Sequence, residues 1–435
     1  MVESPQRSQV FDRSFWLAYL ANGLSVTAFA IHFRFADFVD YLGGSATVIG
    51  LVWGIGMVGA ALARLFVGWQ VDHRGLRWPW VSSALVFVLT SAGFSLVERV
   101  GPLIYALRVL FSLALAAQFC CVVAFVWRGV PVVRRAEALG LMGTSGFLGM
   151  TVGPTIADWI LSLPFHEALC YRLMFLAATL LAGLNLAVAS YAVSLPSSAW
   201  SVRSRDRGMW HVMRTHWPYA ALPAALVMGI TQSVHFSFLT RFVEAIGLPG
   251  VGPFFAGYAM WALTVRVLGR KIPERYGLER AILAAMILLT VSTASLATVD
   301  SLVGLLVVAF IAGTGHAIIF PCTTALGAAH FPIEYTVTGL ATTLSMVDLA
   351  NVIVSPLLGA AADAFGFRPM FVMAAAAVAA SGCAFAVANA HALKAGLEGS
   401  QIRGLAGAPP QALTRLVFRQ PPEELPDRDT YEKTV

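Results

Sequence analysis

The sequence predicts an all-α membrane protein, with twelve transmembrane helices in two six-helix halves related by a pseudo-two-fold axis. Three observations carry this. The first is composition: of 435 residues, 58% are hydrophobic and only 12% are charged, against about 25% charged in a soluble domain. Mean hydropathy is +0.75, too apolar for a surface facing water. The second is an asymmetry of Arg and Lys between alternate loops. The third is an internal repeat.

A spanning helix needs about 20 apolar residues, so the length leaves room for about a dozen spans and no large soluble domain. Apolar runs lie at 14–36, 46–71, 79–97, 102–127, 138–162, 172–195, 218–243, 251–269, 280–299, 302–328, 337–361 and 369–393. Their interruptions by Gly, Pro or a single charge are tolerable where a neighbouring helix or a wet cavity satisfies the group. No cleavable signal peptide is expected, because 1–13 is polar and the first apolar run is long enough to span.

One set of loops carries Arg7 and Arg13; Arg74 and Arg77; Arg128, Arg134 and Arg135; Arg203, Arg205, Arg207 and Arg214; and Arg270, Lys271, Arg275 and Arg280. The alternate loops carry only Arg99, Arg172 and Arg368. Cytoplasmic loops are the basic ones. Both termini are therefore expected in the cytoplasm, which requires an even number of spans. The net charge of +6 is read as this loop bias and not as a nucleic-acid footprint.

The longest internal polar stretch, 196–217, divides the chain. The expected organisation is an N-terminal half at 1–195, a cytoplasmic linker at 196–217, a C-terminal half at 218–393 and a disordered cytoplasmic tail at 394–435, rich in proline and mixed charge. The halves repeat at a shift of 202 residues: Arg64 falls on Arg266, Asp72 on Glu274, Gly75-Leu76 on Gly277-Leu278 and Pro154 on Pro356. His32-Phe33-x-Phe35 falls on His235-Phe236-x-Phe238 with a slip of one residue. Several matches at nearly one offset argue for duplication. Two parallel halves around a midplane site form a transporter architecture.

Between the second and third runs stands Gly68-Trp-Gln-Val-Asp72-His73-Arg74-Gly75-Leu76-Arg77. Gly68 permits close helix approach, and Asp72 at a helix end can pair with an Arg or a helix N-terminus. This segment resembles the signature loop of the major facilitator superfamily, with His73 at a usual basic position; the second-half copy, around Pro273 and Glu274, is degenerate. The resemblance implies that Gly68, Asp72, Arg74, Gly75 and Arg77 form a gating loop.

Arg108, inside the fourth run, looks like the fourth-helix Arg of proton-coupled members, although Phe111 and Ser112 replace the usual following residues. Gly149-x-x-x-Gly153-Pro154 resembles the fifth-helix motif of antiporters, with Ala157 and Asp158 in place of its final Gly pair. Read without the resemblance, it is a packing interface that says nothing of direction. Together with Pro356-x-x-Gly359, Tyr258 to Arg266 and His316 to Pro321, these segments resemble the proton-coupled efflux-permease branch, which handles drugs and sugars.

Asp348 lies about eleven residues into its run, near mid-membrane at about 1.5 Å per residue. It is either a proton carrier or a structural partner of Arg108 or of a backbone group. Asp37, Glu244 and Asp158 lie nearer the outer surface, each a proton acceptor or a wetted vestibule residue. Proton coupling is assigned to Arg108, Asp348 and Asp37. The substrate cavity is assigned to Asn22, His32, Arg34, Gln232, His235, His316 and Asn351. Phe29, Phe33, Phe35, Phe236 and Phe238 either stack on substrate or pack.

The five cysteines fit no zinc or redox spacing, no Walker A pattern occurs, and no nucleophile–base set appears. No cofactor, metal or enzymatic activity is expected. The expected partners are a small-molecule substrate, protons and the lipid bilayer of the cell's inner (plasma) membrane, with no nucleic acid, in a monomer. The expected function is proton-coupled export of a small organic molecule by alternating access. The alternatives are uptake, by proton symport or facilitation, and a non-transporting membrane sensor.

Overall fold

The structure is a computed structural model that describes residues 11–130, 134–195, 209–269, 272–332 and 335–393. The expected tail lies outside the described residues, as does most of the expected linker. Twelve long helices follow in order: α1 (Arg13–Tyr41), α2 (Ala46–Arg74), α3 (Arg77–Gly93), α4 (Pro102–Gly129), α5 (Arg135–Leu161), α6 (Glu167–Ser194), α7 (Tyr219–Ala245), α8 (Gly252–Leu268), α9 (Leu278–Ser295), α10 (Leu302–Ala329), α11 (Thr336–Phe365) and α12 (Phe367–Ala388). Among the described residues, ten of these helices are long and apolar enough to cross a membrane. The other two are α5 and α8. α5 contains Pro154, α8 is 17 residues long, and the two pack on each other.

Bundle polarity is inverted relative to a soluble protein. Leu180 and Leu357 are 62% and 64% exposed, whereas Arg108, Asp37, His235 and Asn351 are all buried. Lipid solvates the apolar rim, and the polar groups face inward, away from it. Without a hydrophobic drive between helices, association rests on close packing of small residues. At the α2–α11 seam, a Cβ on Gly50 would collide with the Ser355 carbonyl, and one on Gly359 with the Ala46 carbonyl. The α5–α8 seam is the second contact between the halves.

Two backbone features bear on the repeat. Gly75 and Gly277 both adopt left-handed φ, +77° and +90°, at the turns before α3 and α9. The one-residue slip at His235 coincides with a π-helical turn, Val234–Phe238, which accommodates an extra residue. In α1 the matching stretch, His32–Arg34, is a tighter 3₁₀ turn.

The bundle has two distinguishable faces. Arg13, at the start of α1, lies over Tyr191 near the end of α6 (5.3 Å). Asn389, just past α12, donates to the Ala220 carbonyl at the start of α7 (3.4 Å). This end is called the terminal face; the other is the opposite face.

Candidate substrate and coupling site

At the opposite face, the 3₁₀ turn of α1 turns Arg34 and Asp37 inward toward α5 and α7. Arg34 Nε lies 3.0 Å from Asp37 Oδ2 and 3.4 Å from Asp158 Oδ1; these are ion-pair contacts without aligned hydrogen bonds. From α7, Arg241 reaches Asp37 (3.8 Å), Asp40 (2.8 Å) and Glu244 (2.5 Å). Asp158 Oδ2 accepts the first N–H of α8, at Gly252 (2.6 Å), in a space kept open by Gly250 and Gly252. Two arginines thus face four carboxylates across α1, α5 and α7. The helix N-terminus compensates Asp158, and Asp37 is the most deeply buried of the four. A second clasp closes the other seam on this face: Asp363, near the end of α11, accepts from Ala46 N (2.9 Å) and Thr47 N (2.8 Å) at the start of α2.

Deeper in the bundle, Asp348 is paired, but not with Arg108. Arg64 of α2 donates through Nε to Asp348 Oδ2 (2.6 Å) and through Nη2 to Oδ1 (3.4 Å). Of the alternatives for Asp348, partnership with Arg108 is replaced by this bond across the α2–α11 seam. Arg108 itself has no carboxylate partner among the described residues. It lies 4.7 Å from the Trp53 ring centroid, 4.9 Å from Phe35 and 5.3 Å from Phe111. Its Nε and Nη1 are buried without hydrogen-bond partners.

Asn351 joins both halves. Its Oδ1 accepts from Trp53 Nε1 (3.2 Å) and Ser233 Oγ (2.9 Å). Its Nδ2 donates to Gln232 Oε1 (3.3 Å) and the Val347 carbonyl (3.0 Å). Gln232 and Asn351, both assigned to the cavity from sequence, are therefore brought together. Asn22 is elsewhere, donating to Ser145 Oγ (2.8 Å) and holding α1 on α5.

The two repeat-matched histidines do not meet. His32 lies among Phe94, Phe111 and Phe175 of the first half, and its Nδ1 donates to the Ala28 carbonyl (2.9 Å). That acceptor assigns the proton to Nδ1. His235 packs against Phe254 and His316 of the second half (5.5 and 5.6 Å), and His316 Nε2 is 2.8 Å from Thr231 Oγ1. Their neighbours meet instead. Phe33 stacks on Phe236 at 4.7 Å, so a pair related by the repeat joins the two halves, with Phe255 beside both.

In the signature loop, Gly75 supplies the left-handed turn and Arg77 is exposed. Gly68, Asp72 and Arg74 belong to α2, and their side-chain surroundings lie outside what the structure describes. In the fifth-helix motif, a Cβ on Gly149 would come within 2.8 Å of Thr27 N, and one on Gly153 within 2.6 Å of Thr27 O. Both glycines seat α5 on α1, while Pro154 sits inside α5. Among the described residues, no group of three His, Cys, Asp or Glu side chains is placed to hold a metal ion. Sequence reasoning missed Arg64 as the partner of Asp348, Trp53 as an Asn351 ligand and Asp363 as a helix clasp; only Arg64 carried a signal, its repeat match to Arg266.

The Major Facilitator Superfamily model matches residues 15–349. The chain belongs to this superfamily. It is 24% identical over 388 residues to the Multidrug resistance protein MdtG of Dickeya zeae (strain Ech586), covering 85% of this chain and 92% of that one. Among solved structures it resembles a point mutant of the nucleoside transporter NupG, with TM-score 0.71, 11% identity and coverage of 86% of this chain and all of that one. It also resembles a point mutant of the peptide transporter POT, with TM-score 0.70, 12% identity and coverage of 87% and 94%. The facilitator fold explains the two seams: α2 on α11 and α5 on α8 are where the halves meet. The chain is an integral membrane transporter protein with a small-molecule substrate.

Proposed function

We propose that this facilitator exports a small organic molecule by alternating access in exchange for protons. The observation that carries the reading is the charge lattice around Asp37, in which two arginines face four carboxylates at a closed face. Opening that face separates α1 from α7 and exposes Asp37 away from Arg34 and Arg241. A proton then loads it as substrate leaves. Closure returns Asp37 to its buried place beside both arginines, and the proton is passed onward. Asp348, held by Arg64, is the second acid, and Arg108 is a fixed positive charge between them. Export over uptake is supported by the multidrug-resistance relative. Proton symport or facilitated uptake is the alternative; the Gly149-to-Pro154 motif, which packs α5 on α1 and resembles that of antiporters, favours export over it.

The proposed setting is the inner (plasma) membrane with the terminal, Arg-rich face in the cytoplasm, which makes the lattice an outer gate. The proposed domains are 1–195 and 218–393, joined by a linker at 196–217. The signature loop around Asp72 is proposed to gate the terminal face.

Purified protein in liposomes under an imposed pH gradient tests this. Solute moving against its gradient, driven by proton entry and stopped by Asp37→Asn, supports the reading. Equal flux without a pH gradient rejects proton coupling, and no flux for any solute favours a sensor. If Asp348→Asn leaves coupling intact, Asp348 is not an acid of the cycle.

A further inference from the structure

Arg108 is 1% exposed in the bundle interior. A guanidinium does not shed its charge in proteins. An unpaired buried ion costs far more than ring faces return, at about 2 kcal/mol for a desolvated cation–π contact. Three rings surround Arg108, yet Nε and Nη1 bond to nothing. Among the described residues no carboxylate pairs with it: Asp37 faces Arg34 and Arg241, and Asp348 is held by Arg64. The site is nonetheless built for this side chain. A Cβ on Gly56 would come within 2.6 Å of Arg108 Cγ, so the glycine makes its room. Trp53 is fixed in orientation by its bond to Asn351.

Beside the guanidinium is a cavity of about 10 Å³, lined by Arg108, Phe35, Trp53, Phe236 and Ser237. That volume is about one water molecule. Ser237 Oγ, also buried, has no partner either. Phe35 and Phe236 sit on α1 and α7, the helices whose outer ends form the charge lattice, so opening the lattice also widens this cavity.

We propose that Arg108 binds the anionic group of the cargo, a carboxylate, sulfonate or phosphonate, with Ser237 as a second donor and the aromatic walls holding an apolar or aromatic body. The cavity is collapsed in the closed conformation and fills when α1 and α7 part. This deepens the transport reading by naming the substrate class and rests on it.

The test uses the full chain in detergent and three probes of one shape: naphthalene-2-carboxylate, naphthalene-2-sulfonate and the neutral naphthalene-2-carboxamide. Titration calorimetry is expected to show the anions binding about tenfold or more tighter than the amide, as a charge-assisted bond implies. Arg108→Gln erases that preference and Arg108→Lys keeps part of it. Ser237→Ala, which is expected to fold even if Arg108→Gln does not, weakens the anions about threefold and leaves the amide unchanged. Equal binding of carboxylate and carboxamide to the unmodified protein overturns the proposal, as does a preference that survives Arg108→Gln. Liposomes loaded with anionic, neutral and cationic dyes separate the two readings. Proton-driven movement of a cationic dye alone keeps transport and rejects the anion site. Anion binding through Arg108 with no flux of any dye keeps the site and rejects transport.

Discussion

Arg64 and Arg266 occupy equivalent places in the two halves, yet they are treated oppositely. Arg64, on α2, crosses its seam to a carboxylate, Asp348 of α11, at 2.6 Å. Arg266, on α8, crosses the other seam to an aromatic ring, Phe147 of α5, at 4.8 Å, with Phe320 of α10 at 5.5 Å. Its Nε is buried without a partner. At the shift of 202 residues, Asp348 falls on Gly146, so the first half offers no acid where the second offers one. At the depth of these arginines, one seam is locked by an ion pair and the other by ring faces. A cation–π contact tolerates sliding better than a two-point bond to carboxylate oxygens, because it lacks fixed donor–acceptor geometry. The α5–α8 seam is thus the freer one, and the α2–α11 seam the one whose opening depends on charge.

The largest effect expected from this difference comes from breaking the lock on one side only. Asp348→Ala leaves Arg64 buried and unpaired, a loss of about 3–5 kcal/mol. Arg266→Met removes an ion that had no carboxylate and is expected to cost little or to stabilise. Replacing both members of the lock, Arg64→Met with Asp348→Leu, recovers most of the loss. Thermal unfolding in detergent measures all three. A small loss for Asp348→Ala, comparable with Arg266→Met, would show the two seams to be alike.

The spans and the repeat were legible in the sequence because lipid makes both coarse: a run of apolar residues must be about 20 long, and duplicated turns keep their glycines, as Gly75 and Gly277 do. The pairings were not. Arg64 and Asp348 lie 284 positions apart, and which face of α11 turns to α2 is hidden when a helix is apolar nearly all round. Asp37, Gln232 and Asn351 stood out because a polar side chain in an apolar run has few places to go; the structure buries Asp37 and bonds Asn351 to Gln232. For His32 and His235 the repeat marks equivalent positions and not a contact, since two-fold equivalents meet only near the axis. There Phe33 and Phe236 stack, while the histidines sit within separate halves. Asp363 gave no signal, lying at the very end of α11, where a carboxylate reads as loop.

A carboxylate added to the freer seam gives the next largest effect. A Cβ at Gly143 meets nothing nearer than Arg266 Nη1, at 3.4 Å, so Gly143→Asp places an acid against the unpaired guanidinium without a clash. The new charge-assisted contact is expected to contribute about 1.5–3 kcal/mol, raising the melting temperature while slowing flux about tenfold, since both seams must now break an ion pair. Gly143→Asn, of the same shape, is expected to do neither. Unchanged flux with raised stability would show that the α5–α8 seam does not part at this depth during the cycle.

The smallest effects lie at the opposite face, where the seams are matched. Asp158 receives the first N–H of α8, and Asp363 receives the first two of α2, so each helix start is capped from across its seam. Removing a cap costs about 1 kcal/mol, which is the loss expected for Asp363→Ala. Asp158→Ala is expected to cost more, because Arg34 also loses a contact at 3.4 Å and the lattice loses one of its four carboxylates. The two also separate by salt. Asp158 works through the Arg34 charge as well as a backbone N–H, so the first part of its effect shrinks as ionic strength rises. Asp363 bonds to backbone N–H groups at close range and keeps most of its effect. Melting curves of both variants at low and high salt decide it. Equal losses with equal salt dependence would mean that Arg34 draws nothing from Asp158, leaving the lattice to Asp37, Asp40 and Glu244.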